Sequence, residues 1–222
     1  MSRAIFKMRG TPSVIKIVGE VAGNTSPVNT SVHNLGNIDV GPLATVKHCI
    51  MGITTSDGST NILTGFTVGG ISFLPFINQG KSGGTPDLIC WGLIGDISAL
   101  SGNQQIIATF NGSVRNAAVS GVAVTGLEST TPVVETDAGT NGGLTLVLLN
   151  LEVEKDGIIL AVECHESENT NSSWSSMTEK ADVEVANQHR HTSAWDLGSR
   201  SLFSETITAG GNGRSTLAMS FR

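Results

Sequence analysis

The stretch Gln104-Gln105-Ile106-Ile107-Ala108-Thr109-Phe110-Asn111-Gly112-Ser113-Val114-Arg115-Asn116-Ala117-Ala118-Val119-Ser120-Gly121-Val122-Ala123-Val124-Thr125-Gly126 sets two runs rich in Ile, Val and Ala on either side of Asn111-Gly112. Asn-Gly accepts the positive φ angles of the two-residue turns whose twist matches paired strands, so the stretch reads as a β-hairpin closed at Asn111-Gly112. Strand-like runs of the same kind recur along the chain. They cover residues 4–9, 14–21, 28–34, 44–54, 62–69, 71–77, 88–97, 144–154, 157–165, 182–186, 202–208 and 215–221. Turn chemistry separates them, as at Ser56-Asp57-Gly58-Ser59, Ser82-Gly83-Gly84 and Lys155-Asp156-Gly157. No segment keeps a capped 3.6-residue period, which leaves helix a minor component. The class expected is all-β: an antiparallel, jelly-roll-like β-sandwich with an extended N-terminal arm.

The parity of the apolar positions adds detail. Leu217, Met219 and Phe221 alternate with Ala218 and Ser220, and Val183 and Val185 with Asp182 and Glu184, so each strand should have one solvated face. Leu144, Leu146 and Leu148 share one parity and Leu149, Leu151 and Val153 the other, which a β-bulge at Leu148-Leu149 would reconcile.

At 222 residues the chain is long enough for one large β domain. The Gly/Asn/Ser/Pro break at Gly23–Pro27 divides it into an arm, residues 1–27, and a sandwich, residues 28–222. Only 14% of the residues are charged, against roughly 25% in soluble domains. An exterior so poor in charge suits a surface lying against other subunits, hence a homo-oligomer. The net charge of -6 is uneven: Arg3, Lys7, Arg9 and Lys16 face Glu20 alone in the arm, while residues 152–184 hold nine acids against Lys155 and Lys180. The basic residues are too few and dispersed for a nucleic-acid stripe, and Tyr is absent.

The N-terminal residues lack the apolar run of a secretory signal, and no window approaches a transmembrane span, so synthesis in a cytoplasm and no membrane partner are expected. Cys49, Cys90 and Cys164 each lie in an apolar run, and an odd number without close spacing reads as buried free thiols. Asn-x-Ser/Thr sequons at Asn24, Asn29, Asn111 and Asn171 then read as turn chemistry.

Reactive side chains gather in two places, Glu163-Cys164-His165-Glu166 and His189-Arg190-His191. These are the residue types of a transition-metal site, and strand alternation puts Glu163 and His165 on one face, but the spacing matches no metal signature. A structural or solvent-exposed role is expected instead, with no metal and no cofactor. Glu163, Glu166 and Glu168 could supply a glycosidase pair, although carboxylates in a Ser/Asn-rich segment are usually hydrated. Gly-x-Ser-x-Gly, His-Glu-x-x-His and P-loop patterns are absent. No catalytic residue is assigned, and the chain is not expected to be an enzyme. Trp91, within Leu-Ile-Cys-Trp-Gly-Leu-Ile, reads as core; Trp174 and Trp195, among Ser, Thr and His, read as plugs at the end of the sandwich or as sugar-stacking faces, the plug being preferred.

Several of these segments carry a resemblance. Val68-Gly69-Gly70-Ile71, Trp91, Gln104 to Gly112, Val122-Ala123-Val124-Thr125-Gly126, Thr131-Pro132-Val133, Gly157-Ile158-Ile159-Leu160-Ala161 and Ser173-Trp174 together resemble a β-sandwich common among structural proteins of tailed phages and prophages. The likeness spans about residues 28–222. It implies a virion component without fixing where it sits. The reading preferred here is a capsid decoration or cement subunit that docks on the phage head through protein–protein contacts, with a tail or fibre component binding a host-surface glycan as the alternative. A carbohydrate-active enzyme is a more distant third class. The docking element would be the arm. Arg3, Ile5, Phe6, Lys7, Arg9, Ile15, Lys16 and Ile17 combine apolar and basic side chains that could add as a strand to a neighbour. The same segment could instead fold back as an edge strand of its own sandwich.

Overall fold

A computed structural model describes residues 14–57, 61–80, 87–139, 145–153, 156–166, 171–186, 189–198, 200–208 and 214–222. Arg3, Ile5, Phe6, Lys7 and Arg9, and the turn at Ser82-Gly83-Gly84, lie outside them. The described residues form sixteen strands and no helix. In chain order they are β1 (Lys16–Ser26), β2 (Thr30–Asp39), β3 (Lys47–Asp57), β4 (Leu63–Val68), β5 (Ile71–Gly80), β6 (Asp87–Asp96), β7 (Asn103–Val114), β8 (Asn116–Thr125), β9 (Val133–Gly139), β10 (Thr145–Val153), β11 (Ile158–His165), β12 (Ser173–Trp174), β13 (Glu179–Ala186), β14 (His189–Leu197), β15 (Arg200–Thr208) and β16 (Arg214–Phe221). All pairings are antiparallel.

Three sheets result. The first has eight strands in the order β1-β8-β3-β6-β5-β4-β7-β2, the second five in the order β13-β14-β11-β16-β9, and the third is β10-β15-β12. The eight-stranded sheet curls until its two edges meet. Asn24 Nδ2 on β1 donates to the Leu35 and Asn37 carbonyls of β2 at 3.0 and 3.4 Å. All eight strands then send side chains into one interior, among them Val21, Leu35, Met51, Phe66, Phe73, Trp91, Phe110 and Val119.

Period 2 explains what happens outside that interior. On β3, β6 and β8 alternate residues turn outward: Ile50, Leu88, Cys90, Val122 and Val124 meet Leu160, Val162, Cys164, Trp195, Leu217 and Met219 of the five-stranded sheet. The opposite face of that middle sheet presents Ile159, Ala161, Ala194 and Ala218 to Leu148, Val153, Met177 and Ile207. β11 and β16 are therefore buried along their whole length. The solvated face expected on 215–221 is corrected here: Ala218 is fully buried and Ser220 only 7% exposed, because the third layer covers them. β13, at the edge, keeps its solvated side, with Glu184 exposed and Val185 buried.

The Asn111-Gly112 hairpin is also corrected. β7 continues through both residues as a bulge, where its register with β2 steps from Val32 opposite Thr109 to Thr30 opposite Val114, and it pairs with β2 and β4 on either side, whereas β8 pairs with β1 and β3. The chain bends at Arg115 instead, and β7 and β8 diverge to different parts of the curled sheet. Asn111 is held as a strand residue: its N–H donates to the Ile62 carbonyl at 3.0 Å and its Oδ1 accepts from Ile62 N–H at 2.8 Å. Partners on both sides of β7 outweigh the local turn preference. The two-residue turn with positive φ at both centres lies at Gly69 and Gly70, φ 56° and 82°, joining Val68 to Ile71. The bulge in β10 is present as expected: Leu148 pairs with Glu205 and Leu151 with Phe203, one extra residue on the β10 side.

The break expected at Gly23–Pro27 falls largely inside β1, which pairs with β8 from Lys16 to Ser26. Residues 16–26 thus belong to the eight-stranded sheet.

Candidate functional site

Strand alternation splits each of the two reactive groups picked out in the sequence across both faces of one sheet. β14, which lies outside the strand runs expected from the sequence, is a central strand on which His191 pairs with Cys164 and Arg190 with His165. Paired residues share a face, so His189 and His191 face the eight-stranded layer with Cys164, while Glu163 and His165 face the third layer with Arg190. Glu163, His165, His189 and His191 are all completely buried, which corrects the solvent-exposed half of the expectation.

On the inner face a hydrogen-bond chain ties the two larger sheets together. Asn116 Nδ2 donates to the Ala186 carbonyl, leaving its Oδ1 to accept from His189 Nδ1–H at 2.5 Å. His189 Nε2 must then accept, and it does so from the Thr54 hydroxyl at 3.1 Å. With its proton so placed, Thr54 Oγ1 accepts from His191 Nδ1–H at 2.8 Å. His191 Nε2 in turn accepts from the Ser120 hydroxyl at 2.7 Å, and Ser120 Oγ accepts from Gly23 N–H at 2.9 Å. Each imidazole has one donor and one acceptor, so both are neutral, and their partners fix the tautomers. Protonating either would set a donor against a donor. Burial also holds His191 down to about 3 and His189 well below the usual histidine range, the latter with further opposition from His191 and His165.

The outer face carries ion pairs. Glu163 Oε2 accepts from His165 Nδ1 at 3.1 Å and from Ser172 Oγ at 3.2 Å, and Oε1 faces Arg214 Nε at 3.3 Å. Arg214 also donates to the Ile207 carbonyl at 2.9 Å. Arg190 Nε pairs with Asp182, and its Nη2 donates to Asn171 Oδ1 at 2.8 Å. Nearby, the Glu205 carboxylate takes the backbone N–H groups of Ser175, Ser176 and Met177 and the hydroxyls of both serines. Such an arrangement satisfies a buried carboxylate and fixes the loop after Trp174.

What these clusters can do chemically follows from their burial. Ser172, beside the Glu163–His165 pair, donates its hydroxyl to the Glu163 carboxylate and not to the imidazole, so the serine–histidine hydrogen bond of a hydrolytic triad is not formed there. Among the described residues no group of three or more His, Cys, Asp or Glu side chains is placed to hold a metal. A surface concavity of about 290 Å³ lies elsewhere, between the start of β9 and the end of β16; its wall includes Ser129, Thr131, Val133, Phe221 and Arg222 but no acidic, imidazole or thiol side chain.

The tryptophans divide. Trp91 is core, its ring 5.6 Å from Phe110. Trp195 is 2% exposed, with Lys180 Nζ 5.5 Å from its ring. Trp174 is half-buried and donates its indole N–H to Thr192 Oγ1 at 2.9 Å. Of the docking residues picked out in the arm, Ile15 is buried against the interlayer core, Ile17 packs partly on it, and Lys16 is exposed at the start of β1.

Sequence reading missed Lys47, whose side chain is fully buried and whose ammonium donates to the carbonyls of Val40, Pro42 and Leu100 at 2.9, 2.8 and 2.8 Å. It also missed β14 and Glu205. His-Arg-His-Thr-Ser-Ala-Trp has polar residues on both faces, so it shows no polar–apolar alternation; regular spacing of His189, His191, Ser193 and Trp195 was the only trace.

No protein-family model, no curated protein and no solved structure matches the chain.

Proposed function

We propose that this chain is a non-enzymatic assembly subunit, and that its setting is a virion: a decoration or cement protein bound to a phage head through protein–protein contacts. One observation carries the assembly reading. Among the described residues Glu163, His165, His189, His191 and Glu205 are buried and hydrogen-bonded within the stacked layers, while Val14, Val28, Val32, Leu43, Val46, Ile62, Val133 and Leu197 stand about half or more exposed. Large apolar side chains left standing at the surface, outside the three cores, suit a subunit that associates with others. The virion setting draws support from the resemblance of residues 28–222 to phage structural sandwiches. The glycan-binding alternative has less support, since Trp195 is buried and Trp174 is half-buried.

The docking role belongs to the residues before β1. Val14 is 58% exposed next to buried Ile15, so the chain enters the sheet from its surface. The test is mass spectrometry of particles purified from cells that encode the chain, with immunogold labelling of the same particles. Stoichiometric peptides and label over heads support the reading; label on tails replaces head by tail; absence from particles overturns the virion setting. Deletion of residues 2–13 should leave folding intact and abolish particle binding or self-association.

A further inference from the structure

We propose that Cys90 and Cys164 are a latent cross-link between the eight-stranded and five-stranded sheets, carried as thiols after synthesis and closed to a disulfide by a peroxide. Their sulfurs are 3.6 Å apart. Cys90 lies on β6 and Cys164 on β11, strands of different sheets, and both point into the core between those sheets. The Cys90 thiol also donates to the Ser215 carbonyl at 3.3 Å, which leaves its sulfur open to accept the Cys164 thiol. Closing the remaining gap to a bond of about 2 Å takes rotation of the two side chains together with a closer approach of β6 and β11. The third thiol, Cys49, faces the separate interior of the curled sheet and has no such partner, which makes it an internal control.

The chemistry balances with one oxidant. A Cys90 thiolate attacks hydrogen peroxide, breaking the O–O bond and forming a sulfenic acid with loss of hydroxide. The Cys164 thiolate then attacks that sulfur and expels the second hydroxide. Two thiols and one peroxide give one disulfide and two waters. Both side chains are fully buried, and burial holds the Cys164 thiol well above its ordinary pKa. Reaction therefore waits on a transient opening of the layers, and the closed bond then opposes that opening. The span between the two cysteines is long, so a bond there restrains much of the unfolded chain. The inference is independent of the virion proposal: it concerns the sulfur pair alone.

The test treats the full-length protein with hydrogen peroxide, in buffer and in urea below the unfolding transition. Intact mass should fall by two hydrogens, reactive thiols in denaturant should fall from three to one, and a peptide map should join Cys90 to Cys164, faster in urea than in buffer. The oxidised form should melt at least about 4 °C higher, reversibly with a reductant. Cys90→Ser should lose the mass change; if that variant does not fold, the wild-type map still decides. Three free thiols after prolonged exposure in urea, oxygen addition without a link, or a link to Cys49 would each overturn the proposal.

Discussion

Gly52 on β3 lies directly beneath Val162 on β11: a Cβ built on Gly52 would come within 2.4 Å of Val162 Cγ1 and 2.9 Å of Cγ2. The two residues belong to different sheets, and the missing side chain lets the layers close. Gly52→Ala should therefore destabilise the fold by about 1–3 kcal/mol through overpacking, and Val162→Ala in the same chain should recover part of that loss. Denaturant unfolding of the single and double variants measures it; an unchanged midpoint in the single variant would refute the contact.

The histidine chain predicts a pH dependence. His191 and His189 have folded pKa values below those of the unfolded chain, so the unfolded state binds more protons in acid. Their contribution is complete above about pH 6.5 and is lost progressively as pH falls from there towards about 3, the value to which burial holds His191. His191 alone should cost about 2 kcal/mol of stability between pH 7 and pH 5, and His189 adds to it with the same sign. His33, lowered mainly by burial, acts with the same sign. His191→Gln should flatten the pH profile of the unfolding free energy without abolishing its slope.

Glu205 makes a sharper test of the third layer. Five donors converge on its carboxylate, from Ser175, Ser176 and Met177. Glu205→Ala would leave backbone N–H groups without acceptors and should destabilise by about 2–4 kcal/mol. Because Trp174 precedes the clamped loop, hydrogen exchange should rise there before it rises in β11. Uniform exchange across both would contradict a local clamp.

Lys47→Met keeps the apolar stem and deletes the ammonium that joins residues 40–42 to Leu100. Three carbonyls lose a charged donor, and a loss of about 3 kcal/mol is expected. Thermal melting checks it, and an equal or higher melting temperature would show that the ammonium costs more to bury than its bonds return.

Class and most strands were legible in the sequence because they rest on local facts. Runs such as Ile106–Phe110 and Ile158–Val162 are β-branched or apolar, bounded by Gly, Asn and Asp, and nothing competes for them as helix. The slip of parity at Leu148-Leu149 likewise announced its bulge, since one inserted residue must reverse the face of every later one. The partners of each strand were decided elsewhere. Asn111-Gly112 has the composition of a hairpin, yet β2 and β4 each supply a ladder to β7, and those ladders outweigh one turn preference. β14 escaped notice for a related reason. A strand covered on both sides shows no contrast between faces, and whether Thr54, Asn116 and Ser120 would stand ready to receive His189 and His191 depends on residues about 70 to 137 positions away. Hydrophobic pattern and turn chemistry act over a few residues and so are written in order along the chain; pairing and burial of polar groups are settled by what the stacked sheets bring face to face.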